Sequence, residues 1–174
     1  AYELILPTGN VTADKFLKVA SVSGSGATGI GQLSFASAGG ILQVKRMSTH
    51  TTSSHTSMSD TAVTLSITPS STSNKILGFA TTMIGVDSDI YALTRVRNST
   101  SGVTVSGSQR YSPRSGANVI NHGMHMFLDS PASTSSQTYV LQASNTGSGN
   151  VYFNTRDNDS NTGVAEMVLM EVAV

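Results

Sequence analysis

Oxygen donors stand at every second position in Asp157-Asn-Asp159-Ser-Asn161-Thr-Gly163, a spacing that suits a hard cation such as calcium. Asp157, Asp159 and Asn161 are the candidate ligands. The glycine falls one residue later than in a helix-loop-helix calcium site, and the twelfth position is Val168 where that loop needs a bidentate Glu. Asp and Asn also favour turns by themselves, because their side chains hydrogen-bond to nearby backbone. The turn reading is preferred, and no metal or other cofactor is assigned.

The four histidines are His50, His55, His122 and His125. Three residues apart on a strand, His122 and His125 point to opposite faces and do not chelate one ion within a chain. On a threefold axis His125 would meet its copies, and three imidazoles would form a metal or anion site. The plainer expectation is one His in an interface and one half-buried beside Met124 and Met126. His50 and His55 lie in the polar run 48–60 and are expected in solvent.

Catalytic patterns are weak. Asp87 and Asp89 are the closest carboxylate pair, on an expected loop without the pocket a two-carboxylate mechanism needs. No G-x-S-x-G elbow occurs. Gly24-Ser-Gly26-Ala-Thr-Gly29 matches a dinucleotide fingerprint in letters only, with neither the strand and helix around it nor an acid about twenty residues on. The chain reads as a non-enzyme. For recognition, the loop 106–118 gathers Arg110, Tyr111 and Arg114 in a chain with few aromatics and few charges. Arg and Tyr carry binding energy at exposed sites, and Tyr can stack on a sugar ring. These three are the candidate receptor-binding residues.

The elements that would position these groups read as strands. Residues 61–68 (TAVTLSIT) alternate, with Val63, Leu65 and Ile67 on one face. Residues 75–84 (KILGFATTMI) are nearly all apolar, the pattern of a strand buried on both faces. Residues 89–97 alternate again, placing Tyr91, Leu93, Arg95 and Arg97 opposite Ile90, Ala92, Thr94 and Val96. In 118–128, Ile120, His122, Met124, Met126 and Leu128 share a face, and the chain ends in VAEMVLMEVAV, apolar on both faces apart from Glu166 and Glu171. The segments 69–75 and 131–137 share a P-x-S-T-S pattern between strands, the mark of two equivalent sheet-to-sheet connections. Eight or nine short strands without a helix-length amphipathic stretch predict an all-β antiparallel sandwich, jelly-roll-like, over 41–174. Residues 1–40 are rich in Gly, Ser and Ala around 21–40 and read as an extended arm that finds its partners on other chains.

Composition narrows the function. Charged residues are 11% of 174, against about 25% in an average soluble domain, and the formal net charge is +0. A neutral chain with scattered charge has no footprint for nucleic acid. No apolar run reaches the roughly 20 residues that span a bilayer. With Cys 0 there is no disulfide framework and no thiol chemistry. Ser and Thr make up about 28% of the chain and fall mostly on turns and alternate strand positions. A weakly charged surface lacks the self-repulsion that keeps proteins apart, which suits a chain covered by its neighbours.

The residues Leu6-Pro-Thr through Leu17-Lys18, followed by Gly31-Gln-Leu-Ser-Phe-Ala-Ser-Ala-Gly-Gly40, resemble short modules of bacteriophage tail fibres. Ser66-Ile-Thr-Pro-Ser-Ser-Thr-Ser-Asn-Lys-Ile-Leu77, Phe127-Leu-Asp-Ser-Pro-Ala132 with Thr138-Tyr139, and Leu169-Met-Glu-Val-Ala173 resemble a domain at the C-terminal ends of tail-fibre and related virion appendage proteins, especially of marine phages. The resemblance implies a non-enzymatic protein on the virion surface, a homotrimer with a β-sandwich head. It implies other virion proteins and a host-surface glycan or protein receptor as partners. A capsid decoration or cementing protein is the alternative, and a glycan-degrading tailspike is disfavoured by the scarcity of acidic pairs. The family supplies no fixed receptor residues to carry over.

Overall fold

The computed structural model describes residues 3–5, 7, 15–25, 29–37, 40–86, 90–111, 120–156 and 162–174. The chain divides into two compact units, Ala1–Gly40 and Ile41–Val172. In the first, strands β1 (Glu3–Ile5), β2 (Lys15–Ser23) and β3 (Ile30–Ser37) form one sheet in the order β1-β3-β2. β2 and β3 are antiparallel, β1 and β3 parallel. The described part of this segment therefore pairs with itself, while Leu17, Val19 and Val22 stand exposed.

The second unit is an antiparallel sandwich, all strand and turn among the described residues. One sheet holds β4 (Ile41–Thr49), β14 (Ala165–Val172), β7 (Lys75–Val86), β13 (Val151–Phe153) and β5 (Ser53–His55), with β11 (Ile120–Asp129) on the other edge of β7. At 12 residues, β7 is long enough to meet β14 and then β13 along one edge and β11 along the other. The opposing sheet runs β10 (Gln109–Tyr111), β8 (Ala92–Asn98), β12 (Gln137–Asn145) and β6 (Ser59–Ile67), and the short β9 (Val103–Thr104) also pairs with β8.

Period-two alternation decides what lies between the sheets. β7 contributes Ile76, Ala80 and Ile84, β14 Ala165, Met167 and Leu169, and β13 Val151 and Phe153. The facing sheet contributes Val63 and Ile67, Ala92 and Val96, and Tyr139, Leu141 and Ala143. Phe127 stacks on Tyr139 with ring centroids 5.3 Å apart. Gly78 makes this possible, since a Cβ there would fall 2.0 Å from the Phe127 ring. The two P-x-S-T-S segments are the connections β6 to β7 and β11 to β12, and each carries the chain from one sheet to the other.

Candidate functional site

β10 pairs with β8 so that Arg110 lies opposite Leu93 and Tyr111 opposite Ala92. Neighbours on a strand face opposite ways, so Arg110 and Tyr111 part company. Arg110 points outward, its guanidinium carbon 3.9 Å from the centroid of the Tyr91 ring. Tyr91 sits two residues before Leu93, the diagonal position a long cross-strand side chain reaches. The Tyr91 ring is 39% exposed, and its backbone is held by Thr146, whose amide donates to the Tyr91 carbonyl at 3.0 Å while its hydroxyl accepts from the Tyr91 amide at 3.2 Å. The exposed cation–π pair is thus Arg110 with Tyr91. The sequence signal for Tyr91 was its place on the same outward face as Arg95; the pairing with Arg110 needs the β8–β10 register. Arg114 lies outside the described residues.

Tyr111 turns inward and belongs to a chain of hydrogen bonds. Its hydroxyl donates to Gln109 Oε1 at 2.8 Å and accepts from Thr94 Oγ1 at 3.3 Å. Gln109 Nε2 in turn donates to the Met124 carbonyl at 2.7 Å. Gly123 leaves the room for the phenol, since a Cβ there would lie 1.8 Å from its oxygen. Burial pushes the Tyr111 phenol up. The part-buried ring packs against the core cluster.

His125 ends the same chain. It is fully buried, with Nε2 2.7 Å from Thr94 Oγ1 and Nδ1 2.8 Å from Ser106 Oγ. Thr94 gives its proton to Tyr111, so it accepts from Nε2–H, and with the ring neutral the Ser106 hydroxyl donates to Nδ1. Those directions are those of a neutral imidazole. Burial accordingly lowers the His125 pKa to about 4. This corrects two expectations. His125 is neither half-buried beside Met124 and Met126 nor free to meet copies on a threefold axis; those methionines occupy the opposite, outer face with His122. His55 is also buried rather than solvated, its ring nitrogens 2.7 Å from Ser53 Oγ and 2.7 Å from Ser59 Oγ, and burial lowers its pKa. His50 is exposed as expected.

Glu171 is the buried carboxylate. Oε1 accepts from the Ser70 amide and hydroxyl and from Asn74 Nδ2, and Oε2 accepts from Gln43 Nε2 at 2.6 Å. Burial works to raise its pKa, but the bonds from Asn74, Gln43 and Ser70 outweigh it and hold the carboxyl near 2. The network ties the β6–β7 connection to β14 and β4, a structural task.

Among the described residues no group of three His, Cys, Asp or Glu gathers where a metal could sit. Asp157, Asp159 and Asn161, and likewise Asp87 and Asp89, lie outside the described residues. No described helix is long and apolar enough to cross a membrane.

No family model matches the chain, and no curated protein does. Among solved structures it is similar to VP2 proteins of infectious bursal disease virus. A mutant VP2 in derived T=1 particles has TM-score 0.38 at 10% identity over 80% of this chain and 39% of that one. A VP2 subviral particle has TM-score 0.35 at 10% identity over 82% and 40%, and the structure of the virus's Gx strain TM-score 0.35 at 11% over 88% and 43%. The chain therefore spans about two-fifths of the proteins it overlaps. Scores below 0.5 mark a partial overlap, and the functional reading rests on this chain's own surfaces.

Proposed function

We propose that the chain is a non-enzymatic structural module of a bacteriophage virion. It would form the homotrimeric head of a tail fibre or appendage on the particle surface and attach it to a host-surface glycan or protein. The tail-fibre resemblance of its motifs supports the placement. The titratable groups buried in the sandwich support a scaffold rather than a catalyst, because His55, His125 and Glu171 are each held by structural hydrogen bonds.

The observation that carries attachment is the Arg110–Tyr91 pair. A ring stacked on one side by a cation, and held by a clamped backbone, is a pre-organised contact for a neutral or anionic ligand. Arg114 remains a further candidate on sequence grounds alone. Three such patches on one rigid head bind by avidity although each is weak.

Replacing Arg110 and Tyr91 together with Ala is expected to lower binding of the full chain to host cells at least tenfold without changing its mass in solution. Undiminished binding by the double variant overturns the assignment of this patch. Label from an antibody against the chain is expected on the tail; label on the capsid shell would instead favour decoration.

A further inference from the structure

The outward face of the β4–β14–β7–β11 sheet is apolar over most of its extent. β11 presents Met124 at 57%, Met126 at 65% and Leu128 at 57% exposure, and β4 presents Val44 at 55%. Between them β7 turns out Leu77, Phe79 and Met83, and β14 turns out Val168 and Met170, all part-buried. The register joins these into cross-strand rows. Leu128 faces Leu77, which faces Met170, which faces Val44; Met126 faces Phe79, which faces Val168.

We infer that this face is the surface by which copies of the chain join, an inference that rests on the self-association proposed above. Three observations select a second copy as the occupant. β7 and β14 carry near-continuous apolar sequences, the pattern of strands covered on both faces, yet within one chain the sandwich covers only one face of each. The size also fits. Four strands by eight residues make a face about 19 Å by 27 Å, roughly 500 Å² before side-chain relief, so two copies would bury about 1,000 Å² between them, the lower bound for a specific interface.

Charge is the third. Arg46 and Glu166, side by side on this face, form an ion pair with each other. Among the described residues that leaves Lys75 at one end of the β7 row and His122 near the other. An apolar, self-neutralised face presents nothing to attract a charged partner. It suits a neutral one, and the chain itself carries net charge +0. Exposed apolar areas of this extent mark interaction surfaces rather than ordinary solvent-facing sheet.

The test compares masses of the full chain by light scattering at micromolar concentration. The wild type is expected to be an oligomer, and the double variant Met126→Asp with Met170→Asp a folded monomer with unchanged β circular dichroism. Ala62→Asp, on the outward face of the opposing sheet, is expected to keep the wild-type mass. Should the double variant fail to fold, Met126→Cys keeps the face apolar and supplies the sole thiol of the chain. In the oligomer this thiol is expected to react with a maleimide at least tenfold more slowly than that of Ala62→Cys. A monomeric wild type overturns self-association itself and leaves the face to a different protein. An oligomeric wild type whose thiol at 126 reacts as fast as that at 62, or whose double aspartate variant keeps the oligomer's mass, overturns the choice of face and leaves self-association standing.

Discussion

The two outward faces of the sandwich obey the same alternation and differ in what they turn out. On β6, β12 and β8 the outward rows are mostly polar and bonded across strands, with Ala62, Val140 and Leu93 their apolar members. Asp60 accepts from Gln142, and Gln142 accepts from Arg95 at 2.8 Å; Ser66 and Thr138 join hydroxyls at 2.8 Å. On β11, β7, β14 and β4 the equivalent positions are mostly Met, Leu, Phe and Val, interrupted by Thr81, His122 and the Arg46–Glu166 pair. A polar row satisfies itself and ends at water, whereas an apolar row does not. That contrast is the basis of the interface inferred above.

The sharpest way to break this comparison uses two adjacent residues. Phe127 lies between the sheets against Tyr139, and Met126 lies on the outer face. Phe127→Ala is expected to cost about 3–5 kcal/mol in urea denaturation at any protein concentration. Met126→Ala is expected to cost less, with a loss that grows as concentration rises, because its partner is another copy. Equal, concentration-independent losses would make the two faces equivalent and defeat the contrast.

Acid probes the interior next. His125 is held neutral with a pKa of about 4, below the ordinary histidine value of 6.5, so between those values the unfolded chain binds the extra proton. Stability is full above pH 6.5 and is lost as pH falls toward 4, by about 3 kcal/mol at the lower end. Glu171, held near 2, adds a further loss only below about pH 4.5. In urea midpoints against pH, His125→Gln is expected to flatten the upper window and leave the lower one. An unchanged profile would place the acid response elsewhere.

The smallest effect belongs to the polar face. Arg95→Ala removes one bond to Gln142 and is expected to cost under about 1 kcal/mol, with solution mass unchanged. A loss of mass would move the interface to this sheet.

Much of the sandwich was legible in the residues. The alternation of 61–68 and of 89–97 separated the two faces that the structure shows, with Val63, Ile67, Ala92 and Val96 in the core. Which face of 118–128 is interior was not legible, because a period of two separates faces without saying which is wet. Methionines point outward there while a histidine points in, as the hydroxyls of Thr94 on β8 and Ser106 in the β9–β10 connection reach it from earlier in the chain. The apolar runs 75–84 and 164–174 read as covered on both faces. Within the sandwich one face of each of these strands packs between the sheets and the other lies outside them, a distinction that a near-continuous apolar composition does not carry. The Arg110–Tyr91 pair depended on strand register, which residue types do not encode.

Light scattering of the unmodified full chain at micromolar concentration reads self-association without any substitution. The account predicts a mass three times the 18.1 kDa of one chain. A mass of 18.1 kDa, unchanged as concentration rises, would contradict it.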